Sequence, residues 1–97
     1  MRIISTSRLV EYYTKHADSR NGLELLAARL KALKITNLNE LRGVANSVDT
    51  IGNNRVIFNI KGNSYRLIAV VLVANQTVYI RWIGTHAEYD KIDAHTI

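Results

Sequence analysis

Val56-Ile57-Phe58-Asn59-Ile60-Lys61-Gly62-Asn63-Ser64-Tyr65-Arg66-Leu67 decides the fold, together with Thr77-Val78-Tyr79-Ile80-Arg81-Trp82-Ile83-Gly84-Thr85-His86-Ala87-Glu88-Tyr89-Asp90 further on. These stretches predict three strands, about 55–61, 64–74 and 77–84, joined by two tight turns. Gly62-Asn63 suits a two-residue hairpin turn, because both residue types tolerate positive φ. Asn75-Gln76 is the second expected turn. A terminal helical turn from about His86 to Ile92 follows, with the remaining residues free to fray.

Working back from the strands, Arg2-Ile3-Ile4 reads as a short opening strand. Ser5-Thr6-Ser7 supplies oxygens able to cap a helix. Leu9, Tyr13, His16 and Ala17 recur at helical spacing over about 7–17. A second helix, about 22–34, carries a core-facing stripe of Leu23, Leu26, Leu30 and Leu33. Asn37 followed by Glu40 is a capping pair for a short helix ending near Gly43. Ile51-Gly52-Asn53-Asn54 reads as a turn, and the rest of 44–54 shows no clear pattern. The fold class is α+β: a small antiparallel sheet against two or three N-terminal helices, with a short C-terminal helix.

Ninety-seven residues, 47% hydrophobic, suffice for one domain with one core. The longest apolar run, Leu67–Ala74, suits a buried strand and is far below a membrane span. The N-terminus lacks the apolar run of a signal peptide. Cysteine is absent, so disulfides and thiolate metal sites are excluded. The three histidines, 16, 86 and 95, lack metal-ligand spacing, and no metal or other cofactor is expected. The net charge of +5 is compatible with a nucleic-acid or acidic protein partner.

Two-residue turns set the register. The first pairs Ile60 with Tyr65 and Asn59 with Arg66. The second pairs Ala74 with Thr77, Val70 with Arg81, and Arg66 with Thr85. Asn59, Arg66 and Thr85 then form one row, with Arg81 on the same face. His86 follows, and Tyr89 and Asp90 lie on its side of a helical turn. The cluster is Arg66, His86, Tyr89 and Asp90, with Lys61 and Arg81 nearby.

Such a set can cleave RNA through its own 2′-hydroxyl, without metal. An imidazole at 86 serves as base or acid. Arg66 grips phosphate oxygens through its planar fork. Tyr89 is a second proton carrier where neighbouring cations favour its phenolate, and Asp90 orients His86. Ordinary structural roles exist for each: an ion pair of Arg66 with Glu88 or Asp90, a helix cap at His86, an apolar lid at Tyr89. Trp82 reads as core, and Lys61 and Arg81 as solvated charges.

The strings Gly62-Asn63-Ser64-Tyr65-Arg66 and Gly84-Thr85-His86-Ala87-Glu88-Tyr89-Asp90, at this spacing, resemble the HigB family of type II toxins in the RelE/ParE superfamily. The strong match covers about residues 52–93. The resemblance implies a RelE-like fold and a cytoplasmic mRNA interferase cutting mRNA on the ribosome. It also implies a helix-turn-helix HigA-like antitoxin as partner. Arg66, His86, Tyr89 and Asp90 carry over as site positions, and Lys61 and Asn63 as motif positions. The chain departs from the common pattern in lacking proline after His16 and before Asp49. Two other readings stay open: a ParE-like toxin that blocks DNA gyrase without cutting RNA, and a non-catalytic RNA-binding module.

Overall fold

The computed structural model describes residues 1–45, 47–62 and 64–97. In chain order the elements are β1 (Arg2–Ile4), α1 (Thr6–Lys15), α2 (Arg20–Ala32), β2 (Ser47–Gly52), β3 (Arg55–Ile60), β4 (Tyr65–Leu72), β5 (Thr77–Thr85) and α3 (His86–Tyr89). The five strands form one sheet in the order β1-β5-β4-β3-β2. Four strands run as an antiparallel meander. β1 enters parallel to β5, with Ile3 opposite Val78, so the sheet is mixed. This is the α+β arrangement expected, apart from that parallel edge.

Alternation along the strands divides the side chains between two faces. Val56, Phe58 and Ile60 of β3 and Leu67, Ala69 and Val71 of β4 face the helices. They meet Leu9 of α1 and Leu23, Leu26 and Leu30 of α2. The predicted leucine stripe is therefore buried, except that Leu33 lies just past the helix end and is partly covered. Ser5 stands at the N-cap of α1 but its side chain accepts no bond from the helix N–H groups, so that expectation fails. The Asn37–Glu40 pair does form: the Glu40 carboxylate accepts from the Asn37 N–H at 2.9 Å, around a 3-10 turn at Leu38–Leu41.

The opposite face has its own smaller cluster. Ile57 and Ile68 are covered by Ala94, Trp82, Tyr89, Ile92 and Ile97. The C-terminal residues therefore pack rather than fray. Arg55 Nη2 donates to the Ile97 carbonyl at 2.8 Å, tying the end of the chain to β3. Position in the chain alone suggests fraying, whereas burial against the sheet decides it.

β2 was hidden in the segment without a clear pattern. It is an edge strand whose residues are mostly exposed, so few apolar residues mark it. The expected turn after it is present: Asn53 and Asn54 adopt φ of +50° and +60°, the geometry of a tight hairpin.

The first hairpin has the expected register, with Ile60 opposite Tyr65 and Asn59 opposite Arg66. The Ser64 N–H closes the turn on the Lys61 carbonyl at 3.0 Å. Asn63 lies outside the described residues.

The second hairpin departs from the expected one. Asn75-Gln76 is not a two-residue turn. Val73–Asn75 form a 3-10 turn and Gln76 takes φ +51°, so Leu72, not Ala74, pairs with Thr77. The Gln76 amide holds this loop from outside: it accepts from Ile35 N–H at 2.9 Å and donates to Ile35 O at 2.7 Å. A bulge follows, because Ile68 faces Trp82 while Ala69 faces Ile80, leaving Arg81 unpaired. Val70 thus faces Tyr79 instead of Arg81, and Arg66 faces Gly84 instead of Thr85.

Candidate active site

Arg66 of β4 projects on the face that carries Ile68 and Trp82, away from α1 and α2. β5 ends at Thr85, and α3 begins at His86 with a full capping box. The Thr85 hydroxyl accepts from the Glu88 N–H at 3.1 Å, and the Glu88 carboxylate accepts from the Thr85 N–H at 2.8 Å. The His86 N–H donates to the Ser64 carbonyl at 3.3 Å, so the start of α3 is also tied to the first hairpin.

This places four predicted residues together. Arg66 Nη2 lies 3.4 Å from His86 Nε2. His86 Nδ1 lies 3.4 Å from Asp90 Oδ2, one helical turn on. The Arg66 guanidinium sits over the Tyr89 ring, 4.4 Å from its centroid. The imidazole thus turns Nδ1 toward Asp90 and Nε2 toward Arg66. Arg66 makes no ion pair with Glu88 or Asp90 among the described residues. An aromatic face and an imidazole hold it instead. Its positive charge is thus uncompensated by any carboxylate and available to an anion.

Trp82 and Gly84 complete the support. The Trp82 ring packs edge-on to Tyr89, with centroids 6.1 Å apart. It lies across Gly84 so closely that a Cβ there would stand 2.3 Å from Trp82 Cη2. Only glycine leaves that seat open. Trp82, expected in the core, is half-buried between the second apolar cluster and the site.

The remaining predicted residues stand apart. Lys61 Nζ pairs with Asp18 Oδ2 at 3.0 Å, in an exposed contact toward the helical side. Asp18 also accepts from the Tyr65 hydroxyl, and that bond, more than Lys61, holds its carboxyl below the usual range. Arg81, at the bulge, does not share the strand pairing that would align it with Arg66. It is exposed beside α1, in a groove with Arg8, Glu11, Tyr12 and Lys15. Among the described residues no group of three His, Asp or Glu side chains is placed to hold a metal ion. No helix among them is long and apolar enough to cross a membrane.

Sequence reasoning missed Trp82, Gly84 and the Thr85–Glu88 box. The last had a legible signal: threonine followed three residues on by glutamate is the capping-box pattern. The seat at Gly84 had none, because it depends on the rotamer of a neighbouring side chain.

A family model described as HigB toxin, RelE-like toxic component of a toxin-antitoxin system, matches residues 19–92. The mRNA interferase toxin HigB of Escherichia coli strain K12 is 28% identical over 96 residues, covering 97% of this chain and 92% of that protein. The mRNA interferase HigB of Escherichia coli O6:H1 is 28% identical over 94 residues, covering 95% and 91%. The mRNA interferase HigB of Shigella flexneri is 28% identical over 96 residues, covering 97% and 92%. With a matched region that takes in both hairpins and the whole of α3, the chain belongs to the HigB toxin family, the RelE-like toxic components of toxin-antitoxin systems.

Proposed function

We propose that this chain is an mRNA interferase, an endoribonuclease that cuts mRNA on the translating ribosome in the cytoplasm and so arrests growth. The observation that carries the reading is the uncompensated Arg66 guanidinium 3.4 Å from the imidazole of His86. One group neutralises a phosphate while its neighbour accepts a proton.

The reaction is an internal transesterification. His86 Nε2 takes the proton of a 2′-hydroxyl, whose oxygen attacks the adjacent phosphorus. Arg66 neutralises the charge that builds on the phosphorane oxygens. The bond to the 5′-oxygen breaks with its electron pair, and the Tyr89 hydroxyl supplies the proton for that leaving oxygen. The products are a 2′,3′-cyclic phosphate and a 5′-hydroxyl. Asp90 holds His86 in the tautomer with Nε2 unprotonated, which the 2′-hydroxyl reaches once Arg66 turns to the phosphate, and stabilises the imidazolium that forms. The partner in the resting cell is a HigA-like helix-turn-helix antitoxin. Lys61, Asn63 and Arg81 are proposed as RNA contacts outside the reacting centre, Lys61 after release from Asp18.

The test is brief induction of the chain, followed by mapping of transcript ends. Cuts within translated reading frames are expected, and Arg66→Ala or His86→Ala should remove them while the far-ultraviolet spectrum stays unchanged. Intact transcripts with induced DNA damage would overturn the reading in favour of gyrase inhibition. Intact transcripts with salt-sensitive RNA binding would leave a binding module.

A further inference from the structure

We propose that Glu88 is a positioning residue for His86, acting through the Thr85 backbone rather than on RNA. The proposal rests on the assignment of Arg66, His86 and Tyr89 as the reacting centre.

α3 has four residues. So short a helix makes too few internal bonds to repay its own nucleation. Its geometry must be imposed from outside, and His86 is its first residue. Both reciprocal bonds of the capping box span that residue: one ends on the Thr85 N–H just before it, the other on the Thr85 hydroxyl. Together they hold the peptide that ends at the Thr85 N–H and the peptide that ends at the Glu88 N–H, so both ends of the turn that carries the imidazole are fixed. Asp90, which faces His86 Nδ1, depends on the same turn, because its N–H donates to the His86 carbonyl at 3.2 Å.

The partner of the Glu88 carboxylate, a backbone N–H, sets it apart from the reacting groups. Its carboxylate turns back along β5, where Oε1 would stand 3.1 Å from a Cβ on Gly84. Lys91 acts on its carboxylate by charge, and its own charge acts on the hydroxyls of Tyr12 and Tyr65. The Thr85 N–H bond, ahead of any other favourable contact, holds its carboxyl below the usual range. It pairs with neither Arg66 nor His86 among the described residues. An acidic side chain beside a phosphate site would repel substrate. Engagement with the Thr85 N–H commits that charge to the backbone instead.

The experiment compares the purified wild-type chain with Glu88→Ala, Glu88→Gln and His86→Ala. Glutamine accepts the same N-cap bond as glutamate. Two readouts are taken: single-turnover cleavage of mRNA on ribosomes, separated into maximal rate and half-saturation, and the His86 ring-proton resonances through a pH titration. Glu88→Ala should lower the maximal rate about ten- to a hundredfold, as a misplaced reacting group does. Half-saturation should change less than twofold, and the His86 resonances should move. Glu88→Gln should restore the rate to within threefold, with wild-type resonances and the same pH profile.

Equal loss in Glu88→Gln and Glu88→Ala would overturn the proposal, because it would mean that the carboxylate itself reacts. So would an unchanged rate and unchanged resonances in Glu88→Ala. If the wild-type chain cuts no RNA, the interferase reading fails, while the resonances of the two variants still decide whether Glu88 positions His86. Thermal midpoints of both variants separate loss of fold from loss of position.

Discussion

Replacing Gly84 by alanine adds one methyl group where the Trp82 ring already lies. The new Cβ would stand 2.3 Å and 2.4 Å from two carbons of the indole, and 3.1 Å from Glu88 Oε1. Real carbon contacts begin well beyond 3 Å, so the ring must move by an ångström or more. Trp82 is packed against Ile68 and Tyr89 and cannot swing freely. Overpacking of this kind costs about 1–3 kcal/mol. In a domain of this size each kcal/mol lowers the melting midpoint by roughly 4–8 °C, so about 2 kcal/mol gives a fall of roughly 8–16 °C. The displacement also moves Tyr89, and with it the surface on which Arg66 rests, so cleavage should fall alongside stability. The assay is direct, because Trp82 is the single tryptophan and its fluorescence reports on the site alone. The expected result is a shifted emission maximum, a lowered midpoint and slower cleavage. Trp82→Leu should remove most of the penalty of Gly84→Ala, with a coupling of about 1 kcal/mol or more between the two positions. A midpoint within 2 °C of wild type, with unchanged emission, would refute the reasoning.

Other perturbations separate further parts of the account. The Tyr12 hydroxyl is buried with no partner among the described residues, and burial first, then the charge of Glu88, pushes its pKa up to about 12. A raised value means that the folded state holds this proton more tightly, so stability should drop as pH climbs from 10 through about 12; Tyr12→Phe should flatten that limb and stabilise the fold at neutral pH by about 1 kcal/mol in chemical denaturation. Asp18 is shifted the other way, by Tyr65 first and Lys61 second. Its contribution is present above its unfolded value of about 3.8 and lost as pH falls through the lower folded value, so Asp18→Asn should shallow the acid limb of unfolding. At Tyr89, phenylalanine keeps the ring beneath Arg66 but lacks the proton, and should slow cleavage at least tenfold with little change in RNA affinity. Alanine there should weaken affinity as well.

The first hairpin was legible because its pattern is local. Gly62 permits the turn, and apolar alternation on both sides fixes which residues meet. The second hairpin was not, because its loop is held by Gln76 reaching Ile35, a contact that no local pattern records. The longer loop shifts the register by two residues, and the bulge at Arg81 returns one. Arg66 therefore meets Gly84, one position from the expected Thr85, and His86 remains within reach. The same bulge removes Arg81 from the row in which two-residue turns would place it. β2 escaped notice because an exposed edge strand carries little apolar signal. The grouping of Arg66, His86, Tyr89 and Asp90 was legible from motif and spacing. What supports it, the seat of Trp82 on Gly84 and the cap of Glu88 on Thr85, appears only once side chains are packed.

The central claim is that His86 and Arg66 act together on a phosphodiester. The most direct measurement is the single-turnover rate at which purified chain cuts mRNA on programmed ribosomes, with each residue replaced in turn by alanine. His86→Ala and Arg66→Ala should each lose at least a hundredfold, in line with removal of an acid–base group or of a charge at the reacting centre. The wild-type products should end in 2′,3′-cyclic phosphate. Rates within threefold of wild type for either folded variant would contradict the claim.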